Sequence, residues 1–260
     1  MNREDYEIVE YEDQGGHMRL FTADGGLQSA TYIDKDRRND LIFSYMIRFA
    51  QLSRLHKDVE NVLVIGAGMF SYPKYLISTN PRIRVDALDP DEELFEYACS
   101  YFYLDELIED FNLEETERLQ FIVDYGRDYL EETEKKYDII INDAFSGLEP
   151  IADLCTKEAM DLIHDHLNDK GMYLVNLPGY KDVNDSDFLQ SSIETMKQTF
   201  RYVITVRAQG IFSGEASMNY VVMASDTYDH FEEELEINTD GSKVFMDDDP
   251  ETIYESFDWL

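Results

Sequence analysis

Basic residues are scarce in this chain. Its 260 residues hold 22 Lys and Arg against 56 Asp and Glu, a net charge of −34. Nucleic-acid binding needs clustered Lys and Arg to displace counterions from phosphates, so this composition argues against that class. Cysteine is nearly absent: Cys99 and Cys155 are too few for a disulfide framework. Each falls in a helix-like pattern and reads as a small core filler. No apolar run approaches the roughly 18–20 residues that a membrane span needs. Residues 1–5 show neither the basic start nor the apolar run of a signal peptide. The expected protein is cytoplasmic, with no membrane contact. There is no P-loop, no Gly-x-Ser-x-Gly elbow and no cysteine pair at zinc spacing. His164 and His166 flank Asp165, but residues two apart on a helix do not face each other, so no metal is expected.

Apolar residues make up 43% of the chain, enough for a sizeable core in one large domain or a medium domain with an appendage. The acidity either serves solubility or draws in a cationic substrate. The most informative stretch is Val62-Leu63-Val64-Ile65-Gly66-Ala67-Gly68. A continuous aliphatic run reads as a buried parallel strand. Glycines just past its end permit a tight turn and close approach of backbone to a ligand. A second strand candidate, Ile83 to Leu88, ends in Asp89-Pro90. Strand, glycine turn, helix, strand and acid is the layout of a nucleotide-binding βαβ unit, although the third fingerprint glycine is missing.

Short strand candidates lie at 6–11, 18–21 and 28–33, with turn chemistry at Gly15-Gly16 and Asp24-Gly25-Gly26. A helical period covers 40–55. Strands are predicted at 61–65, 83–88, 118–123, 137–142 and 171–177. Helices are predicted at about 70–79, 91–102, 156–168 and 186–199. Strands near 201–207 and 218–224 lack a clear helix between them, which suggests an antiparallel hairpin at one edge of the sheet. The alternation predicts an α/β protein with a parallel sheet covered on both faces. From 226 to 260 the chain turns acidic. There Asp229 is read as a possible cap for a helix through Glu232-Glu233-Glu234, with Tyr228, Phe231, Tyr254, Phe257 and Trp259 as docking candidates.

Several segments match a family pattern in order. Asp24-Gly25-Gly26-Leu27-Gln28-Ser29 is similar to D-G-x-x-Q, and Val62 through Gly68 to a first glycine motif. Leu88-Asp89-Pro90 closes a second strand, and Asp124-Tyr125-Gly126-Arg127 is similar to a D-D-G-R or G-D-G-R turn. The run from Tyr137 through Asp143 and Ser146 to Gly147 is similar to Y-D-[VI]-I-x-x-D-[AS]-x-x-[GP]. On these residues the chain resembles the spermidine synthase-like, or polyamine aminopropyltransferase, family over about residues 18–224. The resemblance implies a Rossmann-like class I methyltransferase fold: a mostly parallel seven-stranded sheet behind a small N-terminal β domain. Expected units are 1–36, 37–225 and an acidic tail at 226–260.

It further implies transfer of an aminopropyl group to a small cationic amine in polyamine biosynthesis. The co-substrate would be S-adenosylmethionine or its decarboxylated form, held by Gly66, Gly68, Asp89, Asp124 and Tyr125, with Gln28 contributing from the N-terminal strands. Asp143 would accept the amine's proton, because only a deprotonated amine has a lone pair to attack with. No metal is implied, and a homodimer is expected. The pattern is broken in places. Ala87 stands where an acid would hold the ribose, with Asp86 facing the other way by strand alternation. Met69, Phe70 and Tyr125 are bulky, and a crevice plugged by them would admit no adenosyl group. Ser146 replaces a second acid, and Phe43-Ser44-Tyr45-Met46 occupies the acceptor region. Two alternatives therefore stand: a small-molecule methyltransferase of the same fold, or a catalytically degenerate member acting as a binding or interaction module.

Overall fold

The computed structural model describes residues 6–13, 15–23, 26–146, 149–208 and 217–257. Asp24, Gly25, Gly147 and Trp259, singled out above, lie outside them. Three strands open the chain: β1 (Glu7–Asp13), β2 (Gly16–Ala23) and β3 (Gly26–Tyr32), an antiparallel sheet in that order. Alternation then begins. Helix α1 (Ser44–Ser53) leads to β4 (Asn61–Ile65), and α2 (Ser71–Thr79) to β5 (Arg84–Leu88). Helices α3 (Glu93–Tyr101), α4 (Leu104–Asp110) and α5 (Leu113–Thr116) precede β6 (Leu119–Ile122), and α6 (Gly126–Glu132) precedes β7 (Tyr137–Asn142). A small hairpin of β8 (Phe145–Ser146) and β9 (Glu149–Pro150) is followed by α7 (Lys157–Asp165), β10 (Leu167–Tyr180) and α8 (Asp187–Lys197). The last elements are β11 (Tyr202–Ala208), β12 (Ser217–Ser225) and α9 (Pro250–Glu255).

Seven strands form the central sheet in the order β6-β5-β4-β7-β10-β12-β11. Pairings from β6 to β10 are parallel, and β12 runs antiparallel to both of its neighbours. The aliphatic runs explain the burial. Val62, Val64, Val85, Ala87, Ile139 and Ile141 pack into one core, while Leu63, Ile65, Leu88 and Ile140 pack into the core on the opposite face. Both faces are thus covered, which is why these strands read as unbroken hydrophobic runs. Lys74 of α2 is only 1% exposed and donates to Thr31 Oγ1 (3.2 Å), the Arg38 carbonyl (3.0 Å) and the Phe102 carbonyl (2.5 Å). It ties α2 to β3 and to the end of α3. Burial first, then the nearby Arg38, lowers its ammonium to about 7 against the opposing pull of Glu106.

Several sequence expectations are corrected. Helix α7 stops at Asp165 because the chain enters β10 at Leu167. Cys155 lies in no helix: it follows a 3₁₀ turn at Ala152–Leu154 and is buried. No helix forms from Asp229. The Glu side chains there are used otherwise: Glu233 pairs with Arg48 at 2.7 Å and Glu234 accepts from the Phe231 N–H at 2.9 Å. Leu235 instead donates its N–H to Thr205 of β11 at 2.8 Å. The segment after it is anchored by Phe245 and Ile253, both 0% exposed, and by Phe257 stacked on Phe188 at 4.2 Å. No helix of the described residues is long and apolar enough to cross a membrane.

Candidate functional site

Strand β4 lies between β5 and β7, so the chain's winding reverses there. In such sheets a crevice opens beyond the carboxyl ends of the strands. The loops after β4, β5, β6 and β7, with the strand β3, line one cleft of about 1090 Å³, part of it open to solvent. Gln28, Gly66, Gly68, Asp89, Asp124, Tyr125 and Asp143 all line it, so the structure brings together every site residue predicted from sequence.

Gly66 makes that convergence possible. Its φ is +85°, and a Cβ there would lie 2.5 Å from the carbonyl oxygen of Asp143. Only glycine lets the β4 turn touch the tip of β7. Gly66 and Ala67 donate their N–H groups to the Leu88 carbonyl at 2.9 and 3.0 Å, and Asp143 donates to Ile65 at 2.9 Å, so three strand tips are laced together. Asp89 Oδ2 accepts from the Gly68 N–H and Oδ1 from the Asp91 N–H, each at 3.2 Å. Asp89 is 9% exposed, and burial pushes its carboxyl up to about 6 in spite of those two bonds.

The bulky residues do not plug the cleft. Met69 and Phe70 are both 0% exposed and packed in the core, Phe70 edge-on to Phe95 and Phe121. Tyr125 stands on the rim, 65% exposed. Asp124 beside it accepts the Tyr125 N–H at 2.8 Å, a turn-shaping bond, while still lining the cleft. Asp86 faces away and takes Tyr137 Oη at 2.7 Å and Lys135 Nζ at 2.8 Å, as alternation requires.

Asp143 is held on two sides. Asn176 Nδ2 of β10 donates to its Oδ1 at 3.0 Å, and the Tyr45 hydroxyl of α1 lies close enough to the same carboxylate to favour its charged form. Desolvation nonetheless pushes the carboxyl up to about 7, and those two neighbours oppose the rise. Burial and the adjacent carboxylate raise the Tyr45 hydroxyl well above its ordinary range. Sequence reasoning placed Tyr45 in the acceptor region without giving it a role, because its spacing also reads as core, and it missed Asn176. For Asn176 a signal existed, a polar residue inside the apolar run from Met172 to Leu177. It also missed Tyr6, which lines the cleft and donates to Asp91 Oδ2 at 2.7 Å, and Asp153, which lines it too. Among the described lining residues are the carboxylates of Asp89, Asp124, Asp143 and Asp153, and no Lys, Arg or His. The described residues contain no group of three or more His, Cys, Asp or Glu gathered to hold a metal.

Residues 44–229 match the spermine/spermidine synthase domain. The chain belongs to this family. A polyamine aminopropyltransferase of Thermococcus kodakarensis is 26% identical over 200 residues, covering 75% of this chain and 65% of the relative. One from Methanocaldococcus jannaschii is 32% identical over 135 residues, 52% of this chain and 44% of the relative. The chain therefore spans somewhat under two thirds, and about two fifths, of these two relatives' lengths. A probable spermidine synthase from Corynebacterium glutamicum superposes with a TM-score of 0.75 at 19% identity, covering 93% of each chain. A spermidine synthase solved with the transition-state analogue AdoDATO superposes with a TM-score of 0.64 at 16% identity, over 100% of this chain and 84% of that one. These likenesses establish that this spermine/spermidine synthase family member has the Rossmann-like fold of its relatives.

Proposed function

We propose that this chain is an aminopropyltransferase that takes decarboxylated S-adenosylmethionine and a small amine. The observation that carries the reading is the charge of the cleft. Four carboxylates and no base line it among the described residues. A decarboxylated nucleoside carries a sulfonium and an ammonium, both positive, and suits such walls. The carboxylate of intact S-adenosylmethionine would face acids with no cation to meet it. Gly66 and Gly68 let backbone approach the nucleoside, and Asp89 offers the ribose a carboxylate that Ala87 cannot.

Asp143 supplies the chemistry of the second substrate. The amine's lone pair attacks the methylene carbon beside the sulfonium, the carbon–sulfur bond breaks, and its electron pair neutralises the sulfur. The proton lost by the nitrogen passes to the Asp143 carboxylate. A carboxyl near 7 is matched to that task, since it can hold a proton taken from the amine at neutral pH. Alignment of the two reactants in the cleft supplies the rest.

Calorimetry with S-adenosylmethionine, its decarboxylated form and methylthioadenosine, followed by a transfer assay with putrescine, tests the reading. The decarboxylated form is expected to bind most tightly and to yield methylthioadenosine. Asp143→Asn is expected to lower turnover by at least about 100-fold with nucleoside affinity within about threefold. No binding of any nucleoside at millimolar concentration would sink the proposal, and methyl transfer from S-adenosylmethionine would replace it.

A further inference from the structure

We infer that Asn219 is a positioning residue for this reaction, acting through Asn176 to fix how Asp143 is held. The inference rests on Asp143 serving as the proton acceptor. Asn176 lies on β10, is 4% exposed, and has Val221 of β12 opposite it; Asn219 on the same strand lies opposite Pro178. The two asparagines are thus diagonal neighbours across the antiparallel pair. Asn219 Nδ2 donates to Asn176 Oδ1 at 2.9 Å, and Asn176 Nδ2 donates to Asp143 Oδ1 at 3.0 Å.

An amide group is nearly symmetric in shape, so packing alone does not choose which end faces the carboxylate. With its ends exchanged, Asn176 would set an oxygen against Asp143 Oδ1, lone pair to lone pair. It would also point its N–H₂ at the donor of Asn219. The exchange therefore loses the bond to Asp143, and loses the second as well unless the Asn219 amide turns with it, in a buried place where unmade bonds are most costly. Asn219 supplies the second of those bonds, and it does so from the far side of β10 without lining the cleft. Its consequence is a bias of Asn176 toward presenting a donor to Asp143. That donor favours the ionised carboxylate and holds it in one rotamer.

The other groups around Asp143 leave this link distinguishable. Tyr45 approaches from α1, and the remaining titratable side chains lining the cleft are Tyr6, Asp89, Asp124, Tyr125 and Asp153. None of them bonds to Asn219. Replacing Asn219 therefore acts on Asp143 through Asn176.

The test uses the full chain with Asn219→Ala, Asn219→Asp and Asn219→Ser, read in two ways. One is the pH profile of aminopropyl transfer. The other is infrared titration of the Asp143 carboxyl in the protein alone, its band assigned by its loss in Asp143→Asn. The Asp replacement keeps the size of Asn219 but offers an acceptor, so it should turn the Asn176 amide round. The Ala and Asp variants are expected to move both midpoints up by about one pH unit. Turnover at pH 7 should fall about five- to tenfold, with KM for the nucleoside within about twofold. Asn219→Ser keeps a donor but ends one bond short of the Nδ2 position, so it should move both midpoints less than Ala does. A role confined to structure would lower Tm and leave both midpoints in place, and that result in folded Ala and Asp variants overturns the inference. If Asn219→Ala does not fold, the near-isosteric Asp variant carries the decision. Absence of transfer by the parent protein would sink the proposed activity alone, because the infrared midpoints still report on the link.

Discussion

Gly66 and Asp143 depend on each other at atomic range. A methyl at position 66 would sit 2.5 Å from the Asp143 carbonyl oxygen, at a φ that L residues rarely adopt. Gly66→Ala is expected to destabilise the fold by at least about 2 kcal/mol. It should also remove activity beyond what the lost stability explains, because the tip of β7 must move. A melt paired with an assay below the melting range separates the two losses. Asp143→Asn should do the reverse to stability. The Asp143 carboxyl is raised from 3.8 to about 7, so its folding contribution is full below pH 4 and is lost as pH rises through 7. An uncharged isostere avoids that loss, and Tm should rise by about 5 °C at pH 8 with little gain near pH 4. Six of the seven cleft residues were legible because each sits in a turn just past a strand, and Gln28, inside β3, was legible only through its D-G-x-x-Q segment. Tyr45 and Asn219 were not, since their roles come from partners about one hundred and about forty positions distant in the chain.

At the scale of elements, the anchoring of the acidic segment is the sharpest expectation. Phe245 is 0% exposed and stacks with Phe188, which Phe257 also covers. Phe245→Ala should cost about 3–5 kcal/mol in a denaturant melt, whereas Tyr254→Ala at an exposed site should stay within about 0.5 kcal/mol. Equal effects would contradict a docked segment. Strands β4 and β7 were readable to the residue, because the two cores demand aliphatic side chains from Val62 to Ile65 and from Ile139 to Ile141. The helix expected at Asp229 failed because three successive glutamates carry charge without an apolar stripe, and charge alone does not fix a helix. The short helices α4, α5 and α6 escaped notice for a related reason: two turns or fewer give too few periods to register.

For the molecule as a whole, charge and buried titration act together. Asp89 at about 6 and Asp143 at about 7 both lie above their unfolded values, so their contributions are lost as pH climbs from 4 to 7. Lys74 at about 7 lies below its unfolded value, so stability returns as pH rises from 7 toward 10. Tm followed across that range should dip near neutrality, and a curve without a minimum would contradict the burial of these groups. With a net charge of −34, self-repulsion should also be relieved by salt, raising Tm by a few degrees between low and high ionic strength. Over the same range kcat/KM for a dicationic nucleoside should decline.

Strand β12 is made last, yet it occupies an interior lane of the sheet between β10 and β11. While a ribosome is still translating toward residue 225, the nascent polypeptide presents the long β10 with a naked flank, and β11 has nothing to pair with. Backbone groups left bare in this way invite other chains. The polypeptide thus passes through an interval of vulnerability during its own synthesis, ending only when the final hydrogen-bonded ladder snaps shut. Pausing translation just short of that residue should yield captured, protease-sensitive nascent chains.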